Sequence, residues 1–387
     1  MAPLNKSVNS PHGSWSSPLN KILCDIHHQM VNTDPFVDRI SFAIYDQENQ
    51  RLKTYADSVD KGQGIKQYEC ALSSLPTLQA CVEEHKSRCI DHIDRDTSDT
   101  PRHNRWLKAQ GFRSSYASPT YCDGQFIGFV FINSRHEGHF TPEVCHELSP
   151  YLTTIQQAAA DEYQAIHQIL EQASQKLARS AKHHNSAHPH HQRIYHFTHV
   201  IAQHIANDRG LDDEFVANIC QFSRFHDIGK LYLSPKSILK AQTLAPFERE
   251  KMQQHIALGV ELIDSLIATS SESIHPSLET LRDIVAHHQE LLDGSGYPNG
   301  LRGDAIPLSA RIITVANIFD ALTSHRPYKQ AASVRYALLE LEKMVVLGKL
   351  DAECVNALRY KQQALEAIIA RYPESDPKDN FNPLSLS

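Results

Sequence analysis

Two adjacent residues, His226 and Asp227, offer metal-binding chemistry near the end of a predicted helix, and Ile228-Gly229-Lys230 follows them. An imidazole and a neighbouring carboxylate can both face one metal ion if the helix ends or distorts at that point. Because a carboxylate has two oxygens, Asp227 can also bridge two cations. A His-Asp dipeptide alone is a weak signal, so the hypothesis depends on further ligands elsewhere in the chain.

Further histidines supply such ligands at three other places, each on a separate predicted helix: His190, His255 and the pair His287-His288. A helical bundle can bring these positions together in its core. A lone histidine on an apolar helix is more often an ordinary core residue, but several of them beside a His-Asp dipeptide favour a metal centre. Imidazole with carboxylate suits iron, manganese, zinc, cobalt or nickel.

A glycine-rich loop follows the histidine pair, in the segment QELLDGSGYPNGLRGDAIP. Three glycines between 294 and 300, Gly296 among them, act with Pro298 to specify a rigid loop whose backbone can approach a ligand closely. Tyr297 offers a ring for stacking on a base. The loop is therefore a candidate ligand-binding segment.

Beyond this loop, Asn317 and Asp320 share one face of a predicted helix at spacing i, i+3. Arg326 and Lys329 then supply cations suited to phosphate groups or guanine edges.

The histidine content is high, at 24 of 387 residues, and thirteen of these lie between His183 and His288. The densest tract, HHNSAHPHH at 183–191, is either a metal-binding tract or a helix breaker around Pro189. We interpret most of it as a breaker, because adjacent exposed histidines are usually only solvated.

Residues from about 190 to 370 have an almost wholly helical pattern, which predicts an all-α bundle with one ordered loop. The predicted helices are 194–207, 212–225, 246–267, 277–287, 308–323 and 333–347. Residues 19–155 differ: a helix at 19–32, a hairpin at 38–55, a helix at 75–84, a strand at 89–91 and a second hairpin at 115–132 predict an α+β module with an antiparallel sheet.

A long helix follows at 148–185 and carries the apolar stripe Leu148, Leu152, Ile155, Ala159, Ile166, Ile169 and Ala173, broken only near Glu162. Such a stripe indicates a coiled-coil seam or a helix that packs along its own chain. The first alternative predicts a homodimer through the 148–180 helix. Residues 1–18 are expected to be disordered and 371–387 to form a tail.

Composition excludes several classes of protein. The net charge is −7, so no global basic field exists to hold a DNA or RNA polymer. No apolar run approaches the length of a membrane helix, and the N-terminus does not match a secretory signal. The eight cysteines form no CxxC pair and are expected to be reduced thiols in a cytoplasmic protein.

The chemical motifs, in this order over residues 190–329, resemble the HD-GYP family of cyclic dinucleotide phosphodiesterases. The resemblance implies metal-ligand roles at His190, His226, Asp227, His255, His287 and His288. It places Lys230 near the scissile phosphate and implies substrate contacts around the GYP loop at Gly296, Tyr297, Arg326 and Lys329. The implied reaction is hydrolysis of cyclic di-GMP to pGpG and often onward to GMP. It would use two divalent transition-metal ions, with Fe or Mn expected before Zn, Ni or Co.

Three departures from that family's pattern matter. The aspartate ligand that opens its D-x-x-D motif is Asn317 here, which offers a neutral oxygen without a charge. The glutamate that sometimes binds a third metal would be Ser186, so two metals are expected. The stretch from His288 to Asp293 is one residue longer than usual, which moves the acidic residue to Glu290.

The N-terminal module resembles a GAF domain of the bacterial signalling type, through VNTDPFVDRISFAIYD and GFRSSYASPTYCDGQFIGFVFINS. The resemblance implies a sensor domain at 19–155 that can hold an unknown small molecule, with Asp38, Arg39, Tyr116 and Tyr121 as candidate lining residues. The expected order is therefore GAF-like sensor, connecting helix 148–185 and HD-GYP domain 186–370. The leading alternatives are a catalytically impaired receptor or scaffold, and a phosphodiesterase for cyclic GMP-AMP.

Overall fold

The computed structural model describes residues 18–47, 49–58, 64–100, 102–181, 187–233, 245–269, 275–325 and 330–373. Most of the N-terminal segment and of the C-terminal tail predicted above therefore lies outside the described residues. The chain divides into two compact units. One unit contains residues 1–160 and 209–215, and the other contains residues 161–208 and 216–387.

The first unit is built on a six-stranded antiparallel sheet in the order β3-β2-β1-β6-β5-β4. Its strands are β1 (Arg39–Asp46), β2 (Arg51–Asp57), β3 (Glu69–Ala71), β4 (Arg88–Ile90), β5 (Ser114–Cys122) and β6 (Gln125–Ser134). Among the described residues, the helices that precede or interrupt the sheet are α1 (Pro18–Thr33), α2 (Pro76–Glu84), α3 (Ile93–Asp96) and α4 (Arg102–Ala109). The predicted α+β class is confirmed.

The two predicted hairpins are the centre of this sheet. The second one turns at Asp123-Gly124, where both residues have positive φ, 49° and 78°. That conformation suits a two-residue hairpin turn, and glycine adopts it without steric cost. Strand β6 lies between β1 and β5 and is buried along nearly its whole length, which explains its continuous apolar sequence. The missed elements β3 and α3 are too short to show a hydrophobic period, and α4 is polar, with Leu107 as its one buried residue.

The long predicted helix is α5 (Pro142–Ala181), 40 residues in length. All seven residues of its apolar stripe are buried within the single chain. The stripe is therefore accounted for by packing along its own chain, the second of the two alternatives. The break near Glu162 also has a cause: this carboxylate is buried and lies 3.2 Å from Nε2 of His275, inside the second unit.

Over its described residues the second unit is helical apart from its ordered loop, as predicted. Beyond α5 its helices are α6 (Ala187–Arg209), α7 (Asp213–Ser223), α8 (Pro246–Thr269), α9 (Ser277–His287), α10 (Leu308–Thr323), α11 (Val334–Val346), α12 (Ala352–Arg359) and α13 (Gln362–Arg371). The first residues of α7 belong to the other unit. Among the described helices, none combines the length and apolar character needed to cross a bilayer.

The breaker interpretation of the histidine tract was wrong from Ala187 onward. Helix α6 begins there and includes Pro189 and His190. Proline is tolerated in the first turn of a helix, because the N–H that it lacks has no intrahelical partner at that position. The earlier part of the tract, 183–186, lies outside the described residues.

Candidate metal centre

The His226-Asp227 dipeptide lies where a helix ends. Helix α7 stops at Ser223, and a short 3-10 helix at Ile228–Tyr232 continues the chain. Between them, the N–H of Ile228 donates to the carbonyl of Phe225 at 2.9 Å. The break in helical geometry lets two neighbouring side chains point into the same space, as the sequence hypothesis required.

A glycine brings this turn against the helix that carries His255. A Cβ atom on Gly229 would lie 1.9 Å from the carbonyl oxygen of His255 and 2.5 Å from the amide nitrogen of Gly259. Only glycine permits that approach. Gly229 therefore sets the distance between the His-Asp turn and α8.

Three buried histidines present the same ring nitrogen to the centre. Their Nδ1 atoms lie near backbone carbonyls one helical turn back: His226 at 2.8 Å from Ser223, His255 at 2.5 Å from Met252, and His288 at 3.1 Å from Ile284. A carbonyl can only accept a hydrogen bond, so each Nδ1 carries the proton. A ring that carries its single proton on Nδ1 has its lone pair on Nε2.

Asp227 lies between these rings and uses its two oxygens separately. Oδ1 is 3.3 Å from Nε2 of both His255 and His288, whereas Oδ2 is 3.3 Å from Nε2 of His226 and 2.5 Å from Nζ of Lys230. Burial alone would raise the pKa of Asp227, but the Lys230 charge, the largest of the opposing effects, helps to hold that pKa well below its usual value.

His190 completes the second side of the cluster and is oriented by a carboxylate. Its Nδ1 donates to Oδ2 of Asp320 at 2.7 Å. Arg193 donates from Nε to Oδ1 of the same carboxylate at 2.6 Å and from a terminal nitrogen to Ser324 at 2.9 Å. These hydrogen bonds overcome the effect of burial and lower the pKa of Asp320. The His190 ring therefore also has Nε2 available as a ligand atom.

The donor atoms form two groups that share one residue: His190, His226 and Asp227, and Asp227, His255 and His288. Within each group the possible ligand atoms lie within 4.8 Å of one another. The Nε2 atoms of His226 and His255 are buried and have no hydrogen-bond partner. Imidazole lone pairs and carboxylate oxygens that converge without protons between them repel one another unless a cation lies there. The residues present therefore fit two metal ions, one that His190, His226 and Asp227 would hold and one that Asp227, His255 and His288 would hold.

Other predicted site residues stand apart from these groups or cannot be placed. His287 belongs to neither group, and burial lowers the pKa of its half-buried ring. Asn317 is half-buried on α10 and makes no side-chain hydrogen bond to another described residue. Arg326 and Lys329 lie outside the described residues, as does Ser186.

The glycine-rich loop is held over the centre by Glu290. This carboxylate is buried and accepts hydrogen bonds from the backbone N–H groups of Asn299, at 2.7 Å, and Leu301, at 3.0 Å. A Cβ on Gly296 would lie 2.4 Å from the amide nitrogen of Leu291, so the loop closes tightly against the chain that follows the histidine pair.

Tyr297, at the tip of this loop, lies near the metal-binding groups. Its ring centroid is 6.5 Å from that of His255 in an edge-to-face arrangement. Burial, together with the Asp227 charge, raises the pKa of Tyr297 to about 12, so the hydroxyl stays protonated.

Three polar residues of this region were not assigned these roles from sequence. The sequence indicates only that Asp320 shares a helix face with Asn317 and that Glu290 is a displaced acidic residue, and it indicates no role for Arg193. A charged side chain on the apolar face of α6 was the available signal for Arg193, since such a residue is rarely buried without a partner.

Comparison with known proteins gives a family and several relatives. The family model described as "HD domain" matches residues 153–354. A "Cyclic di-GMP phosphodiesterase" of Thermotoga maritima is 35% identical over 177 residues, 46% of this chain and 46% of the relative. A "3'3'-cGAMP-specific phosphodiesterase 3" of Vibrio cholerae is 33% identical over 189 residues, 49% of this chain and 38% of that protein.

The chain spans less than half the length of these curated relatives. Among solved structures, "The crystal structure of the GAF domain/HD domain protein from Geobacter sulfurreducens" is similar at 12% identity and a TM-score of 0.31, over 38% of this chain and 95% of that one.

Proposed function

The chain belongs to the HD domain family, and from that membership we propose that it is a metal-dependent phosphodiesterase that hydrolyses a cyclic dinucleotide, with cyclic di-GMP as the first substrate. The observation that carries the proposal is the shared carboxylate: the two oxygens of Asp227 face two different sets of imidazole Nε2 atoms. The names of the curated relatives, one for cyclic di-GMP and one for 3'3'-cGAMP, support the substrate class.

Two divalent transition-metal ions, Fe or Mn before Zn, Ni or Co, would be held by His190, His226, Asp227, His255 and His288. Bound there, they would supply Lewis-acid activation of water and of a phosphoryl oxygen near neutral pH. His287 and Asn317 stay predicted ligands from the resemblance alone.

The chain's own residues would position the reacting groups. Asp227 holds the ammonium of Lys230 at 2.5 Å, and this cation can hydrogen-bond a non-bridging phosphate oxygen as negative charge develops there. Tyr297, fixed by the loop that Glu290 anchors, offers its ring to a base. Water adds to phosphorus, one P–O ester bond breaks, and the leaving oxygen takes a proton, which gives the linear dinucleotide.

The assay that tests this proposal measures metal and turnover on the same purified full-length chain. Cyclic di-GMP and 3'3'-cGAMP are each incubated with Mn²⁺ or Fe²⁺, and products are separated by chromatography. We expect about two metal ions per chain and a linear product, with faster turnover of cyclic di-GMP. Substoichiometric metal together with no product under either ion would exclude the enzyme.

A second candidate function, a receptor or scaffold that binds the dinucleotide without cleaving it, is favoured by one observation. Asn317 stands where the resemblance expects an aspartate ligand, and an amide oxygen holds a cation less strongly than a carboxylate does. We expect Asn317→Asp to raise turnover about tenfold by adding that charge. Asn49→Asp, in the exposed turn between β1 and β2, is the charge-matched control: it removes a hydrogen bond to Asp46 in the first unit but should leave turnover unchanged.

If the wild-type chain binds cyclic di-GMP without forming product, and Asn317→Asp also forms no product, the receptor function is favoured. If wild type is active and Asn317→Asp is no faster, the charge at 317 does not limit catalysis.

We propose further that the first unit is a GAF-like sensor that regulates the second, in a cytoplasmic protein whose eight cysteines are free thiols. A homodimer stays a prediction. Because the apolar stripe of α5 is covered within the chain, a dimer contact through the 148–180 helix would have to use the other faces of that helix.

A further inference from the structure

Two cysteines of the first unit lie in direct contact. The Sγ atom of Cys89, on β4, is 3.9 Å from the Sγ atom of Cys145, near the start of α5. The two residues are 56 positions apart in the sequence, so the fold brings these sulfur atoms together. Both are free thiols in the structure. A small movement of the two side chains would convert this contact into an S–S bond of about 2.0 Å.

Backbone hydrogen bonds hold both sides of this contact in place. Strand β4 pairs with β5 along all three of its residues. Just after β4, the carbonyl of Asp91 accepts from the N–H of Gly138 at 2.9 Å, which joins the strand to the segment before α5. The N–H of Cys145 donates to the carbonyl of Thr141 at 2.9 Å. The two thiols therefore stay neighbours in the reduced chain.

The two thiols differ in access and in acidity. Cys89 is exposed on an edge strand of the sheet, whereas Cys145 is half-buried. Burial raises the pKa of both thiols, that of Cys145 to about 12, so Cys145 keeps its proton. Its S–H can donate to the sulfur of Cys89 or, at 3.7 Å, to the carbonyl oxygen of Phe140. A hydrogen bond to Cys89 lowers the pKa of that thiol against the effect of burial, so Cys89 is the more readily ionised of the two and the first that an oxidant reaches.

This thiol pair is separate from the larger features of the molecule. The first unit encloses a cavity of about 770 Å³ beside its sheet, with apolar and aromatic side chains such as Leu52 and Phe131 along much of its wall. Cys89 belongs to that wall, but its sulfur contacts Cys145, which does not line the cavity. The ligands of the candidate metal centre all belong to the second unit.

We propose that Cys89 and Cys145 form a redox-responsive pair, which a hydroperoxide closes into a disulfide that restrains β4 against α5 and which a dithiol reopens. In proteins of the cytoplasm, disulfides are usually transient and serve catalysis or redox sensing, which suits a pair that is reduced at rest. The proposal does not depend on the phosphodiester chemistry, and its test uses no substrate.

Closure takes two steps. The thiolate of Cys89 attacks one oxygen of hydrogen peroxide, the O–O bond breaks, and the hydroxide that leaves takes up the proton released by the thiol to form water. This step oxidises the sulfur of Cys89 to a sulfenic acid and reduces the peroxide. The sulfur of Cys145 then attacks the sulfur of Cys89: the S–S bond forms, the S–O bond breaks, and the departing hydroxide takes the proton of Cys145 to give a second water.

Reopening reverses the oxidation. A dithiol attacks the disulfide, forms a mixed disulfide and then closes on itself, so it supplies the two electrons and two protons that restore both thiols. The closed form would join the edge strand to α5, a helix of 40 residues that begins in the first unit.

The test maps disulfides in the full-length chain. The chain is reduced, freed of reductant and exposed to hydrogen peroxide, and its remaining thiols are blocked with N-ethylmaleimide before proteolysis and mass spectrometry. We expect a pair of peptides joined through Cys89 and Cys145. Before blocking, the mass of the intact monomer should fall by about 2 Da, for the two hydrogen atoms lost, and dithiothreitol should restore it.

Single substitutions test the order of the two steps. In Cys145→Ser the sulfenic acid of Cys89 has no thiol to react with, so it should persist and be trapped by dimedone. In Cys89→Ser, Cys145 should stay reduced under the same exposure. The matched control is Cys24→Ser, which removes a half-buried thiol of the same unit and should leave the bond between Cys89 and Cys145 at its wild-type yield.

A measurement on wild type alone covers the case in which a serine variant fails to fold. In the oxidised chain, amide hydrogen exchange in β4 and at the start of α5 should be at least about fivefold slower than in the reduced chain. Unchanged exchange with the bond formed would overturn the proposed restraint. A disulfide between two chains through Cys89, or oxidation of Cys89 to a sulfinic acid with Cys145 still free, would overturn the pairing itself.

Discussion

The histidine cluster of the second unit and the cavity of the first unit are organised in opposite ways. In the cluster, each imidazole is oriented by a hydrogen bond at Nδ1, on the far side of the ring from Nε2. Backbone carbonyls accept this bond from three of the imidazoles, and Asp320 accepts it from the fourth. In the cavity, the wall leaves about 770 Å³ of space.

This difference separates two kinds of specificity. The cluster would select by atom position, because four imidazoles and the two oxygens of one carboxylate would define where cations fit. The cavity would select mainly by shape, because apolar and aromatic side chains form much of its wall. Substitutions should therefore act sharply in the first region and gradually in the second.

The largest effect should come from Asp227→Ala, which removes the carboxylate that both groups share. We expect loss of both metals and a fall in turnover of about a thousandfold or more, since neither set of imidazoles keeps its anionic partner. Elemental analysis of the purified variant and the chromatographic assay measure the two quantities together.

Asp264→Ala, which removes a half-exposed aspartate paired with Arg282 on the neighbouring helix, is the control and should retain both metals. If Asp227→Ala kept its full metal content, the assignment of Asp227 as a ligand shared by both metals would be wrong. Metal binding would then not depend on the positions of its two oxygens.

The sequence predicted the long helices and strands of both units better than it predicted their short elements and helix boundaries. The alternating and 3.6-residue patterns predicted the antiparallel sheet and most helices, because those elements bury continuous apolar faces. Short elements such as β3 and α3 were missed, since three or four residues show no period. The start of α6 was misjudged, because Pro189 in a first turn looks the same in sequence as a breaker.

The candidate site shows the same limit. Spacing brought His190, His226, Asp227, His255 and His288 into one hypothesis, and the structure places them in two groups around Asp227. Spacing could not separate His287 from His288, because which of two adjacent side chains faces inward depends on the orientation of α9. Nor could it assign Asp320 or Glu290, whose roles come from long-range hydrogen bonds.

A smaller effect is expected for Asp320→Asn, which tests whether the hydrogen bond that orients His190 contributes to metal binding. The amide can no longer accept from His190 and Arg193 as a charged group, so the His190 ring loses its fixed orientation. We expect affinity for one of the two metals to fall about 10-fold to 100-fold, with the other unchanged. Stepwise metal titration by calorimetry measures the two sites separately.

A merely structural role for Asp320 would give a different result. Loss of its ion pair with buried Arg193 should also cost about 3 kcal/mol of unfolding free energy, measured by urea denaturation. If stability falls while both metal affinities stay at wild-type values, Asp320 does not position His190. Asp304→Asn, at a nearly fully exposed side chain, controls for the loss of one negative charge.

The smallest effect should come from Glu290→Gln, which alters how the glycine-rich loop is held and leaves every ligand atom in place. The buried carboxylate accepts two backbone N–H groups, whereas an amide can accept only through its oxygen and sets its NH₂ against the other donor. We expect KM for the cyclic dinucleotide to rise about fivefold as Tyr297 becomes less well positioned, with kcat within about twofold. Metal content should stay at the wild-type value, and Glu340→Gln on α11 should leave both kinetic constants unchanged.

A fall in kcat and metal content at constant KM would mean that Glu290 supports the metal centre. The loop would then help to hold the metal ligands in place, and positioning Tyr297 against the substrate would not be its main role.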